Sequence, residues 1–284
     1  MRQKLFVFTC LAGALFLSAC ANEDADVERA LETVNAIDDN NLGNLMLNSS
    51  NPGEAVAYFR RTVAEKPERL DLKRGLAIAL VRNKQMTEAT TVWAEVTAHP
   101  DAVNTDHIGY AETLIRVGNF EAAGVALGRI PPTYETYDRY RLEAIVADSR
   151  QEWKKADSFY EVALGLTTQP AGVLNNWGFS KLTRNDFKGA ERLFAEALTY
   201  RPDMFTAKNN LVLARGSQRN YQLPIVRMTQ IERAQLLHTM GLAAIKQGDV
   251  EIGKGLLQEA IESHPRHFEA AVRSLRALDD TIVR

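Results

Sequence analysis

Three columns of residues recur in step along this chain at a spacing close to 34 residues, and this period constrains the fold more than any other feature. The first column holds Gly43, Ala77, Ala111, Ala144, Gly178, Val212 and Gly241, at successive intervals of 34, 34, 33, 34, 34 and 29 residues. The second holds Ala55, Ala89, Ala123, Ala156, Ala190, Pro224 and Gly253, and the third Phe59, Trp93, Leu127, Tyr160, Phe194, Met228 and Leu257, both at the same intervals. Alanine and leucine are common, so one column alone would carry little weight. Three in register across seven units define a repeat, and a repeat of this length cannot bury its apolar face without neighbouring copies.

The clearest copy runs from Leu174 to Pro202. Leu174, Trp177, Gly178 and Lys181 fall at helical spacing in one segment. Phe187, Ala190, Phe194, Ala197 and Leu198 form one face of a second, which stops at Pro202. With Leu174 fourth in a 34-residue unit, Gly178, Ala190, Phe194, Ala197 and Pro202 stand at unit positions 8, 20, 24, 27 and 32. This pattern resembles the tetratricopeptide repeat (TPR), in which small residues at two positions let paired helices approach and an aromatic fills the space beside them. The resemblance covers nearly all of the chain beyond its first segment and implies an all-α TPR solenoid of about seven helix hairpins. Units are expected to start near residues 36, 70, 104, 137, 171, 205 and 234, with the array spanning 30–265 as one stack without an internal boundary. Residues 266–284, with Phe268, Ala271, Val272, Leu275 and Leu278 on one face, are expected to form a C-terminal capping helix. The 45% hydrophobic and 25% charged content is ordinary for a globular chain of this kind.

The opening residues, MRQKLFVFTCLAGALFLSAC, read as a targeting segment. Arg2 and Lys4 precede an uncharged run from Leu5 to Leu17, whose 13 residues are too few to span a bilayer. The run ends in Leu17-Ser18-Ala19-Cys20, which resembles the lipobox of bacterial lipoproteins. That resemblance implies a signal peptide at 1–19, cleavage before Cys20, and acylation of Cys20 on its thiol and its new amine. Ala21 in the next position, where aspartate would favour the inner membrane, implies an outer-membrane location facing the periplasm. Each buried methylene contributes about 0.8 kcal/mol, so two or three chains make a stable anchor where one would not. Cys10 departs with the signal, and no disulfide is expected in what remains. Without Arg2 and Lys4 the 34 basic residues become 32 against 36 acidic ones, and the net charge moves from −2 to −4. Residues 20–29 are expected to be an acidic tether, followed by a helix with Val27, Leu31, Val34 and Ile37 on one face that caps the first unit.

Two units depart from the pattern. Pro131-Pro132 ends the second helix of the third unit early. Just beyond it, Tyr137 and Tyr140 fall at core positions, with an aromatic contact surface including Tyr134 as the alternative. In the sixth unit Pro224 stands where the second helix requires alanine, within YQLPIVRM, and it disfavours helical geometry at Leu223. The sequence therefore predicts an extended strap from Leu223 to Met228. Thr229-Gln230-Ile231-Glu232 then reads as a capping box that opens a helix reaching about Gln247. The strap is either a worn repeat or an element that meets a partner or forms a hinge.

Chemistry is not visible in the sequence. No nucleophile elbow, phosphate-binding loop, dinucleotide fingerprint or H-E-x-x-H occurs, and the carboxylates form no evident acid–base pair. The five histidines are His99, His107, His238, His264 and His267; the last two straddle Pro265 without a third ligand nearby, so no metal site is assigned. No basic stripe recommends nucleic acid. No enzyme activity, cofactor or small-molecule substrate is expected, and a protein partner is. The TPR resemblance implies a concave groove lined by the first helix of each unit. Carried over position by position, it assigns Asp138, Arg141, Ile145 and Asp148 in the fourth unit and Asn175, Phe179 and Leu182 in the fifth. Asn209 and Leu213 follow in the sixth, and His238 and Leu242 in the seventh. Asn175 and Asn209 would present amides to the backbone of an extended peptide, with Phe179, Leu213 and Leu242 adding apolar contact, while Asn176 and Asn210 fit a structural role.

Lipobox, TPR array and the segment YQLPIVRMTQIERAQLLHTMGLAAIKQGD together resemble the TadD-type TPR lipoproteins of tight adherence (Tad, Flp) pilus machinery. This implies a pilotin-like assembly factor that helps a secretin, or another pilus-assembly subunit, reach or multimerise in the outer membrane. No active-site residue carries over. A general scaffold for outer-membrane protein assembly or cell-envelope enzymes, and a regulatory subunit of an envelope hydrolase, remain open alternatives.

Overall fold

The computed structural model describes residues 42–48 and 51–282. The signal peptide, Cys20, the tether and the helix expected over Val27 to Ile37 lie outside the described residues. All regular structure among the described residues is helical, and the chain divides into two compact units at Ala102/Val103.

The first unit holds α1 (42–48), α2 (Pro52–Glu65), α3 (Leu70–Arg82) and α4 (Met86–Ala98). Asn51 caps α2 by accepting from the Gly53 amide at 2.9 Å, with Pro52 at the first helical position, so the free amides of the first turn are satisfied as its sequence predicts. Phe59, Leu72, Leu76, Leu80 and Ala89 build the core. Phe59 lies directly against Gly75: a Cβ there would stand 2.2 Å from the ring.

The second unit holds α5 (Asn104–Arg116), α6 (Phe120–Leu127), α7 (Tyr137–Ser149), α8 (Trp153–Gly165), α9 (Ala171–Thr183), α10 (Phe187–Tyr200), α11 (Phe205–Ser217), α12 (Gln230–Lys246), α13 (Val250–Ser263) and α14 (Glu269–Ile282). Helix α6 has only 8 residues, because the chain breaks before Pro131-Pro132. Buried Arg139 fixes the break, its Nη1 donating to the carbonyls of Pro131 at 2.8 Å, Pro132 at 3.2 Å and Tyr134 at 3.2 Å. Tyr137 and Tyr140 pack against the core around Trp177 and Phe194, so the core reading of these tyrosines holds. In the best-formed hairpin, Gly178 admits Phe194, whose ring lies 2.7 Å from where a Cβ would be. In α12 and α13, Gly241 and Gly253 bring the two backbones together, each Cβ position standing within 3.1 Å of the other's carbonyl oxygen.

Every hairpin turn after the first is built alike. Lys84, Gly118, Gln151, Asn185, Arg219 and Gly248 all have left-handed φ, between 58° and 87°. The amide one residue further on donates back to the helix end in each case, from Gln85 to Leu80 at 2.9 Å through to Asp249 to Ala244 at 3.0 Å. This is the Schellman termination, which satisfies carbonyls that the helix leaves free.

In the sixth unit the turn at Arg219 is intact but no second helix follows, and residues 220–229 carry no regular structure. Leu223 and Met228 pack beside Val212, Leu236 and Met240, and Val226 packs on the Trp177–Phe194 core, while Ile225 between them is fully exposed. Arg219 Nη1 holds Asp249 at 2.8 Å, and the Tyr221 hydroxyl donates to the same carboxylate. The predicted capping box forms: Glu232 N donates to Thr229 Oγ1 at 3.1 Å and Thr229 N to Glu232 Oε2 at 2.7 Å. At the C-terminal end Phe268 and fully buried Ala271 of the α14 segment cover Leu237 and Ala260, as a capping helix must.

Candidate functional site

Helices α7, α9 and α11 are the first helices of three consecutive repeat units, and between them they line a groove of about 1020 Å³. Its apolar part is Ile145, Phe179 and Phe205, with Phe120 and Trp153 at the margin. Phe179 is 52% exposed on a helix whose Val173, Leu174 and Trp177 are buried. Its polar part is a set of amides and hydroxyls: Asn175, Asn176, Thr206, Asn209 and Asn210.

A hydrogen-bonded ladder fixes the amides. Asn210 Nδ2 donates to Asn175 Oδ1 at 3.1 Å, and one unit further on Thr239 Oγ1 donates to Asn209 Oδ1 at 2.8 Å. Each bond joins one first helix to the next, so the same groups orient the groove and stitch its floor. Beneath them Asp148 accepts from Tyr160 Oη at 2.8 Å and Ser180 Oγ at 2.6 Å. Burial raises the Asp148 carboxyl, and the bonds from Ser180 and Tyr160 pull against that. A second network lies to one side: Asp157 accepts from Trp177 Nε1 at 2.6 Å, from Lys181 Nζ at 3.1 Å and from Arg184. Burial would raise Asp157 too, but the bonds from Arg184, Trp177 and Lys181 outweigh it and hold the carboxyl low.

Of the residues assigned from sequence, the groove brings together Asp148, Asn175, Phe179 and Asn209, together with Ile145. Arg141, Leu213, His238 and Leu242 do not line it. Arg141 is drawn to acidic neighbours instead, at 3.6 Å from Glu112 and 3.3 Å from Asp138, with its guanidinium 5.9 Å from the Tyr137 ring centroid. His238 faces the capping segment: its ring packs edge-on against Phe268 at 5.5 Å and its Nε2 meets Ser274 Oγ at 3.0 Å. Burial lowers its basicity. Leu213 is half-buried, and Leu242 is 43% exposed on α12, beyond the groove. Sequence reasoning missed Thr206, Phe205 and the margin from α6 and α8; Asn176 and Asn210, given a structural role, also line the groove, and Asn210 does both jobs. His264 and His267 turn to different partners, the Arg266 carbonyl and Glu269, and no group of three metal-ligating side chains occurs among the described residues.

Residues 40–102 match the tetratricopeptide repeat family model. No curated protein sequence matches the chain. Among solved structures the fold is similar to the APC/C hetero-tetramer Cut9–Hcn1, with a TM-score of 0.59 and 15% identity over 82% of this chain and 47% of that one. This chain thus spans about half the length of that neighbour. It is also similar to a tetratricopeptide repeat protein from Parabacteroides merdae, with a TM-score of 0.54 and 13% identity over 79% and 91% of the two chains. MamA from Desulfovibrio magneticus RS-1 aligns with a TM-score of 0.50 and 17% identity over 58% and 94%. These likenesses are of fold. Over the described residues each of the two units is helical, with its helices arranged as TPR-like antiparallel hairpins.

Proposed function

We propose that this protein is an interaction scaffold whose groove on α7, α9 and α11 captures an extended segment of a partner protein. The observation that carries this reading is Phe179, exposed between two fixed asparagine amides in an apolar groove that no part of the described fold fills. Acylation of Cys20, read from the lipobox, would hold the array on the periplasmic face of the outer membrane. A partner in that membrane would then meet the groove at high effective concentration. The resemblance of the strap and α12 to TadD-type lipoproteins supports a secretin of a Tad/Flp pilus system, or another subunit of that machinery, as the partner, and a pilotin-like role in its assembly.

The amount of assembled secretin ring in outer-membrane fractions tests this reading in wild type, a deletion strain and a Cys20→Ala strain. Loss of rings in the deletion, with reduced or misplaced rings in Cys20→Ala, is the expected result. Unchanged rings in both would remove the pilotin role and leave a scaffold with another partner.

A further inference from the structure

Asp148 is the one carboxylate on the lining of the groove, and no lysine or arginine lines it. Both hydrogen bonds that it accepts come from neutral hydroxyls, Ser180 Oγ to Oδ1 at 2.6 Å and Tyr160 Oη to Oδ2 at 2.8 Å. A carboxylate has about four acceptor positions, so two remain open. The cations around it are matched elsewhere. Arg184 bonds Asp157 and the Trp153 carbonyl, while Lys181 stands 3.1 Å from Asp157 and 3.7 Å from Asp186. Arg141 turns to Glu112 and Asp138. Asp148 is the carboxylate that these ion pairs leave over, half-buried in the groove. Burial outweighs the bonds from Ser180 and Tyr160 and the pull of Arg184, and raises the carboxyl, as it does for a negative charge without a cation of its own.

The other carboxylate of this region shows what such a group takes up. Asp157 holds Lys181 and Arg184, and each of these cations also lies over an aromatic ring, Lys181 at 5.9 Å from the centroid of Trp177 and Arg184 at 5.6 Å from that of Trp153. Asp148 shares its groove with the rings of Phe179 and Phe205, but the described fold supplies no cation to join them. An acidic side chain entering there would meet a like charge with nothing to offset it. An arginine would meet a carboxylate with free acceptor positions, and its stem and planar head would lie on apolar and aromatic surface. On the reading that the groove holds a partner segment, we propose that this segment carries a basic residue, arginine above all, whose guanidinium pairs with Asp148 while its stem and its apolar neighbours pack against Phe179 and Ile145.

A randomised array of short peptides, blocked at both ends and probed with the full chain, tests this. The binders are expected to carry arginine or lysine among apolar residues, and binders that are acidic or uncharged overturn the inference. Citrulline, the uncharged isostere, in place of the arginine of a binder is expected to weaken it about tenfold in fluorescence anisotropy, a difference of about 1.4 kcal/mol. Asp148→Asn removes the charge and keeps an acceptor for the hydroxyls. In that variant the arginine and citrulline peptides are expected to bind within about twofold of each other, with the circular dichroism unchanged. Equal binding of the two peptides to the wild-type chain, or a preference that Asp148→Asn leaves intact, overturns the pairing with Asp148 while leaving the groove in place. If the variant does not fold, the wild-type comparison decides alone. Binding that Phe179→Ala does not weaken, or an array without binders, overturns the groove reading itself.

Discussion

Gln151 holds a left-handed backbone, φ 60°, at the same point of its hairpin where Gly118 and Gly248 stand in theirs. A non-glycine residue in that region costs about 1–2 kcal/mol against its preferred conformations. Gln151→Gly is therefore expected to stabilise the second unit by about 0.5–1 kcal/mol in denaturant unfolding, glycine's greater freedom in the unfolded chain offsetting part of the relief. A loss of stability would show that the glutamine side chain makes up the difference. This column of turn residues, Lys84, Gly118, Gln151, Asn185, Arg219 and Gly248, recurs as strictly as the packing columns but was not legible. What recurs is a backbone angle, and lysine, glutamine and arginine do not announce it. The packing columns were legible because a Cβ at Gly178 or Gly241 has no room, so sequence identity itself is constrained. The groove was legible only in its centre. Unit position alone put Asp148, Asn175, Phe179 and Asn209 on the lining of this groove, whereas the His238 ring lies against Phe268 and Ser274 of the capping segment.

Among the elements, the strap over residues 220–229 is where repeat logic gives way. Pro224 was a sufficient sign that the helix would fail, and Thr229 with Glu232 a sufficient sign of where the next would start. What the sequence did not reveal is the latch on Asp249, which takes bonds from Arg219 and Tyr221 and so ties the strap to the start of the following hairpin's second helix. Asp249→Ala removes those acceptors and leaves two donors to find water, at an expected cost of about 1–3 kcal/mol. Hydrogen exchange should quicken in residues 220–229 and at the N-terminal end of α13, with α9 and α10 unchanged. Uniform acceleration across the second unit would mean that the strap is not a separate cooperative element.

Acid sensitivity belongs to the molecule as a whole. His238 is held below the usual histidine range by burial, and His107 by burial with Arg129 adding to it. A depressed histidine binds its proton more readily in the unfolded chain, so stability that is complete above about pH 6.5 is lost as pH falls below it. A second loss follows below about pH 4, where Asp71, held low by its bond from Arg69, Asp157, and Glu232, held low by the Thr229 amide, must protonate. Asp148 acts in the opposite sense, since its raised carboxyl favours the folded state as it protonates. The midpoint of thermal unfolding should fall between about pH 7.5 and 5.5, and His238→Gln should flatten that slope. An unchanged slope in the variant would show that burial of His238 does not set it. Within the second unit, the groove of α7, α9 and α11 is a surface that combines apolar area with hydrogen-bonded amides.

That groove is the centre of the account, and site-specific photocrosslinking in intact cells tests it most directly. A benzophenone side chain in place of Phe179 is compared with one in place of Val162, which is 40% exposed on α8 and does not line the groove. A single partner adduct from position 179, the secretin on the proposed function, with none from position 162, is the result expected. Adducts from position 162 and none from 179 would contradict it, because the partner would then be held by the outer helices and the groove would have no part in binding.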